Sequence, residues 1–356
     1  MAKPPPAAPA QPDGPPPGQK DAGSAGVRSA KRYITPPDTR SVSGEAKRSC
    51  STSHGYHESM AELSVSFQPS LRRPVLVAAF RGWNDGGQGA SLGGAYLAKQ
   101  WQATRFAEIE PEGFYDFQAT RPHVSLVDGV TRQLDWPENA FFHAEIPGAD
   151  RDAVVLLGVE PNLRWETFSG LVLELAKELE VELLVTFGSL LADVPHTRPA
   201  PVTGAATDPA LVEKLGLEPS RYEGPTGIVG VVHDACRRAD IPSVSLWAAV
   251  PHYVSLAPSP RAALALVRRF GELLRIDIDV TELEQASEEY SEQVSEAVST
   301  DAETATYVEE LERRVDMLEV ADDLPSGDTL AAELTRYLRE RDEEDESGAG
   351  PAGPAS

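Results

Sequence analysis

A strand, a glycine-rich turn and a helix follow one another without a break from Val75 to Trp101, and this run limits the possible folds more than any other stretch of the chain. Val75 to Phe80 is apolar without alternation, the pattern of a strand covered on both faces. The turn Arg81-Gly82-Trp83-Asn84-Asp85-Gly86-Gly87 comes next. From Gln88 to Trp101, Leu92, Tyr96 and Leu97 recur at helical spacing, and Gly93 and Gly94 offer no side chain to hold the helix off a sheet. In an open α/β sheet such a turn lies at the carboxyl edge, where ligands usually bind.

The same alternation predicts the rest of the body. Arg105–Ile109 reads as a second strand, and Phe114–Phe117 as an extension of the sheet. Val124–Val127 and Val130–Leu134 flank Asp128-Gly129, a two-residue type I′ hairpin signal, and Phe141–Ile146 reads as a further strand. Ala153–Gly158 is a buried strand. Trp165, Phe168, Val172, Leu175 and Leu179 then form one helical face, and Val181–Phe187 is the next strand. The segment from Gly188 to Ala206 reads as irregular, and loops of that length are more often functional than short ones. Asp208-Pro209 starts a short helix ending at Gly216, and Gly224-Pro225-Thr226-Gly227 leads into a helix from Ile228 to Ala239. The strand Ser243–Ala249 and the helix Arg261–Leu274, capped by Ser259-Pro260, complete the pattern. Four buried strands with intervening helices imply an α/β fold, a three-layer α/β/α sandwich with a mixed sheet.

The ends are different in kind. Residues 1–59 are Pro/Gly-rich, carry eight Lys/Arg against five Asp/Glu and have no periodic apolar face, so they are expected to be disordered. They lack the apolar core of a signal peptide, and no run approaches a membrane helix; a cytoplasmic location is expected. Met60 opens the first stretch that reads as structured, so translation from Met1 and from Met60 both suit the pattern. Of the net charge of −24, −20 falls between residues 277 and 346, where 25 Asp/Glu meet five Arg. That acidity argues against nucleic acid, since nothing offsets phosphate repulsion.

The acidic segment itself reads as a C-terminal helical arm over 277–341. Thr281 and Glu284 form a capping box, and Leu283, Tyr290, Val294 and Ala297 lie near one face. Val308, Leu311, Val315 and Leu318 follow a coiled-coil seam, and Leu330, Leu334, Tyr337 and Leu338 an amphipathic helix. Charge repulsion between two such arms favours packing of each against the α/β body of residues 60–276. Residues 342–356 read as a disordered tail.

Three loops follow buried strands and would meet at one edge of a parallel sheet. They supply Gly82, Trp83, Asn84 and Asp85, then Gly188, Asp193, His196, Thr197 and Arg198, then His252 and Tyr253, with Thr226 as a further candidate. Such a set can bind a polar small molecule or perform acid/base chemistry. It is equally loop architecture, since Asn and Asp favour turns and buried His or Tyr satisfies backbone groups. Gly224-Pro225-Thr226-Gly227 is likewise an anion site or an ordinary helix start. No metal is expected, because His196, His252, Asp193 and Asp85 lack local ligand spacing. No cofactor is expected either: there is no Gly-x-x-x-x-Gly-Lys-Ser/Thr loop and no Gly-x-Ser-x-Gly elbow, and after Met60 the only lysines are Lys99, Lys177 and Lys214. His233 and Cys236 are one helical turn apart and read as packing.

Taken together, Gly82-Trp83-Asn84-Asp85-Gly86, the run Ala192 to Pro199, Gly224 to Ile228 and Val250-Pro251-His252-Tyr253-Val254 resemble the proteasome assembly chaperone 2 family in its bacterial form. The likeness covers about residues 70–298 and resumes after Ser326-Gly327-Asp328. It implies a phosphorylase/hydrolase-like α/β/α sandwich, self-association into a homo-oligomer, and protein partners that include proteasome subunits. Chaperones of this type often dock through a hydrophobic-Tyr-X tail. Residues 350–356 run Gly-Pro-Ala-Gly-Pro-Ala-Ser, and the nearest internal likeness is Arg336-Tyr337-Leu338 on a predicted helix, so docking of that kind is not expected. The expected function is a non-catalytic, self-associating scaffold or assembly chaperone. The alternative is an enzyme or small-molecule sensor using the polar pocket at the carboxyl edge.

Overall fold

The computed structural model describes residues 62–207 and 223–322. The expectations for residues 1–59, for a helix from Asp208 to Gly216, for the Leu330–Leu338 face and for the tail from 342 lie outside the described residues.

The body is built on an eight-stranded mixed sheet in the order β1-β3-β6-β7-β2-β8-β10-β9. Its strands are β1 (Leu63–Val65), β2 (Val75–Arg81), β3 (Thr104–Ile109), β6 (Asn139–Glu145), β7 (Asp152–Val159), β8 (Leu183–Ala192), β9 (Val202–Ala206) and β10 (Ser243–Pro251). The hairpin β4 (His123–Val127) and β5 (Thr131–Asp135) forms a separate two-stranded ribbon. At its turn Asp128 and Gly129 have φ of 54° and 73°, the left-handed pair that a type I′ turn requires. The central strands β7, β2, β8 and β10 run parallel, while β1, β3, β6 and β9 pair antiparallel at the flanks.

Helices cover both faces. On one face lie α1 (Gly89–Gln100) and α4 (Pro260–Leu274), with α5 (Thr281–Ser299) against α4 and α6 (Ala302–Asp322) against α5. On the other are α2 (Trp165–Glu178) and α3 (Ile228–Arg238). Alternate residues of β2 divide between the two cores: Val75, Val77 and Ala79 face α1 and α4, and Leu76, Ala78 and Phe80 face α2 and α3. Glycine sets the helix-to-sheet distance, because a Cβ on Gly94 would lie 2.9 Å from Ala79 Cβ and 2.9 Å from Leu157 Cδ2. Both gaps are shorter than a normal carbon contact.

Four details differ from the sequence reading. Phe114–Phe117 is not a strand; Phe114 and Tyr115 are buried after a 3₁₀ turn, and the Tyr115 hydroxyl donates to the Val159 carbonyl at 2.6 Å. The segment after Gly188 is not irregular throughout, since β8 runs on to Ala192 and Val202–Ala206 forms an edge strand on β10. Thr281 and Glu284 form no capping box: Asp279 Oδ1 accepts the Thr281 N–H at 3.0 Å, and Glu284 is drawn to Arg268. On α5 the buried residues are Leu283, Ser287, Tyr290 and Val294, while Ala297 is exposed.

Candidate functional site

The helices after β2 and β7 lie on opposite faces of the sheet, so the carboxyl ends of these neighbours form a switch point, the place where α/β sheets open a crevice. The chain fills this crevice with its own side chains. Gly82 has φ of +146°, and a Cβ there would meet Glu160 Cβ at 2.7 Å. Glu160, just past β7, takes three donors: Oε2 accepts the Trp83 N–H at 3.0 Å, and Oε1 accepts the Asn84 amide at 3.0 Å and the Ile228 N–H at 2.8 Å. The start of α3, where an anion would bind, is therefore neutralised by a carboxylate from the same chain. Gly227 is required there, since its Cβ would fall 1.9 Å from Asn84 Nδ2. Thr226 is exposed beside that turn. Trp83 is 64% exposed although its backbone is pinned.

Asp85 is used in the same way at the other helix. Its Oδ1 accepts the N–H groups of Ala90 at 2.9 Å and Ser91 at 3.0 Å, and its Oδ2 accepts the Ser91 hydroxyl at 2.6 Å. It thus holds the first turn of α1 and the dipole there. Burial raises its pKa, against the lowering effect of these hydrogen bonds. Gly188 is a packing position, because a Cβ would lie 2.5 Å from the Trp247 ring across the β8–β10 ladder.

The remaining candidates form a second cluster beyond the ends of β8 and β10. Asp85 bridges to Ser189, whereas β8 continues three residues further, about 10 Å at strand rise, before the Asp193–Arg198 loop begins. His196 is 2% exposed and has a partner at every nitrogen. Its backbone N–H donates to the Tyr253 hydroxyl oxygen at 2.8 Å, Nδ1 is 2.8 Å from the same hydroxyl, and Nε2 is 3.0 Å from Ser295 Oγ on α5. A neutral ring satisfies all three contacts, with the Tyr253 O–H donating to Nδ1 and the Nε2–H donating to Ser295. Burial, with Arg261 nearby, lowers the His196 pKa. Burial pushes Tyr253 up to about 12.

Thr197 and Arg198 also turn to the arm. The Thr197 hydroxyl bonds Glu312, and the Arg198 fork meets both oxygens of Asp316 at 2.7 and 2.8 Å. His252 and Asp193 form a more open pair at 3.1 Å, with Tyr307 of α6 edge-on to His252 at 5.6 Å. The sequence-derived residues therefore fall into two groups at one sheet edge. Gly82, Trp83, Asn84, Asp85 and Thr226 belong to the first, and Asp193, His196, Thr197, Arg198, His252 and Tyr253 to the second. Gly188 lies within β8, opposite Trp247 in the β8–β10 ladder.

Sequence reasoning missed Glu160, whose signal was an acidic residue directly after a buried strand and before Pro161. It also missed Ser295, Tyr307, Glu312 and Asp316, which no local pattern links to the loops they hold. Among the described residues no three His, Cys, Asp or Glu side chains converge on a point, and no helix is long and apolar enough to cross a membrane.

A model of the PAC2 family matches residues 79–298. No curated protein matches the chain. Among solved structures, the fold is similar to a PAC2 family protein from Streptomyces avermitilis at 45% identity and a TM-score of 0.62, covering 66% of this chain and 99% of that one. It is also similar to a proteasome-assembly chaperone homologue of Mycobacterium tuberculosis, at 48% identity and a TM-score of 0.61 with the same coverage. A third, a protein of unknown function from the same organism, shares 26% identity at a TM-score of 0.68 over 75% of this chain and 96% of its own.

Proposed function

Because the chain belongs to the PAC2 family, we propose that it is a non-catalytic, self-associating scaffold that binds protein partners and assists their assembly in the cytoplasm. Its similarity to a proteasome-assembly chaperone homologue makes proteasome subunits the first partner class to test.

The observation that carries this reading is the hairpin. Val124 and Leu126 on β4, Leu134 on β5 and Trp136 beyond it share one face by strand alternation and register, and they are 57%, 60%, 54% and 47% exposed. A lone two-stranded ribbon is marginally stable in water, and an apolar face of this kind is expected to be covered by protein. Charge favours a second copy: residues 121–136 hold two Arg and two Asp, a neutral patch on a chain of −24, so two copies can meet there with little repulsion. The polar groups at the sheet edge support the non-catalytic half of the reading, because Asp85, Glu160 and His196 are engaged by helix starts, by neighbouring loops and by the arm.

The partner half is tested by copurification of the tagged full chain from native cells beside a Leu126→Glu/Leu134→Glu variant. Enrichment of proteasome subunits that depends on the hairpin is expected. Its absence from both preparations overturns the proteasome assignment. The alternative, a small-molecule enzyme or sensor at the carboxyl edge, has the solvent-facing Asp193–His252 pair in its favour. A thermal-shift screen of nucleosides, nucleotides and amino acids tests it, with a shift abolished by His252→Ala as the supporting result.

A further inference from the structure

We propose that the cleft between α4, α5, the 197–201 loop and the start of β9 is a binding site for a small organic carboxylate with an apolar body. The cleft holds about 560 Å³, within the range of small-molecule sites. It lies away from the hairpin and from the Asp85 and Glu160 cluster, so it is independent of the reading above.

Two observations point to an anion. The first is Arg261, a half-buried guanidinium whose bonded partners are both neutral: Ser291 Oγ at 2.8 Å and the carbonyl oxygen of Arg198. Its neighbours Arg268 and Arg269 are matched to Glu284 and Glu272, which leaves Arg261, among the described residues, as the uncompensated charge in the cleft wall. A desolvated cation without a counter-ion is costly, and burial lowers the Arg261 pKa, as expected where no carboxylate offsets it. The second is Ser287, which lines the same cleft, is 5% exposed, and has a hydroxyl without a hydrogen-bond partner among the described residues. A buried orphan hydroxyl beside an unpaired guanidinium is an incomplete polar site.

The shape of the missing group follows from these donors. Guanidinium N–H groups match a planar carboxylate bidentately, and the Ser287 hydroxyl adds a donor of its own. The other walls are apolar, from Pro199, Ala200, Val202 and Leu264, and suit a short hydrocarbon body. Inorganic phosphate would meet the charge and leave that surface uncovered.

Calorimetric titration of the full chain with hexanoate, hexanamide and inorganic phosphate tests the proposal. Hexanoate is expected to bind at millimolar concentration or below, and hexanamide and phosphate at least about tenfold more weakly, the scale of a charge-assisted hydrogen bond. Arg261→Gln is expected to abolish hexanoate binding and Ser287→Ala to weaken it, while the hairpin-dependent mass of the protein stays unchanged. No heat with hexanoate, equal binding of hexanamide, tighter binding of phosphate, or unchanged hexanoate binding in folded Arg261→Gln each overturns it. The acid-versus-amide comparison uses the native chain, so it decides the matter even if Arg261→Gln fails to fold.

Discussion

Asp85 shows how a carboxylate in a cleft comes to be structural. Three close donors reach it from the first turn of α1 and a fourth, the Ser189 hydroxyl at 3.4 Å, from β8, and yet burial raises its pKa above the ordinary 3.8. The folded chain therefore holds that proton more readily than the unfolded chain. Its contribution to stability falls as pH rises from 3.8 through the folded value, then becomes flat. Asp85→Asn removes this dependence and keeps the acceptor, so the variant is expected to lose less than about 1 kcal/mol at neutral pH, whereas Asp85→Ala is expected to lose about 1–2 kcal/mol. Urea midpoints across acidic pH measure both, and equal losses for Asn and Ala would contradict the capping role. His196 has the opposite sign. Its pKa is lowered from 6.5, so the unfolded chain takes the proton first, and the stability tied to the neutral ring is lost as pH falls below 6.5 toward and through the folded value. The melting temperature of the native chain is expected to fall more steeply over that window than that of His196→Gln. Parallel curves would show that the ring is not held neutral between Tyr253 and Ser295.

Among the elements, α1 is fixed by what it lacks. Gly94→Ala would regain about 1 kcal/mol of helix propensity but would press a methyl onto Ala79 of β2, and such overpacking costs about 1–3 kcal/mol. A net loss in melting temperature is expected, and a gain would show that the helix can lift off the sheet. This close approach was legible in the sequence, because paired glycines within an apolar helix next to a buried strand have few other uses. The central strands were legible for a similar reason, being continuous apolar runs bounded by turn residues. The extension of β8 was not, since Leu190 and Leu191 stay 42% and 57% exposed and follow a glycine that reads as a strand end. β9 is a short edge strand, Val-Thr-Gly-Ala-Ala, in which Gly and the two Ala after the β-branched pair weaken the strand signal. The second polar cluster was legible only by half. Its loop residues stand out in the sequence, but their partners on α5 and α6 follow about a hundred residues later and are set by tertiary packing alone. Those helices bury Leu283, Tyr290, Val294, Val308 and Leu311, worth about 1.5–3 kcal/mol each as an upper estimate. Truncation after Leu274 is therefore expected to lower solubility and melting temperature, and an unchanged melting temperature would make the arm dispensable.

For the whole molecule, the proposed self-association would be governed by the charge distribution and the hairpin. The arm spends part of its acidity on the body, through Arg198 with Asp316, Arg268 with Glu284 and Lys99 with Glu282. What remains would repel another copy, so the proposal places contact at the neutral β4–β5 ribbon rather than between paired arms. The most direct test of this account is the mass of the full chain by light scattering at physiological salt, native protein against Leu126→Glu/Leu134→Glu. The account predicts a native mass that is a multiple of 38.3 kDa and a variant that is folded, with unchanged helix content, at 38.3 kDa. A native protein that is already a single chain, or a variant that keeps the native mass, would contradict it.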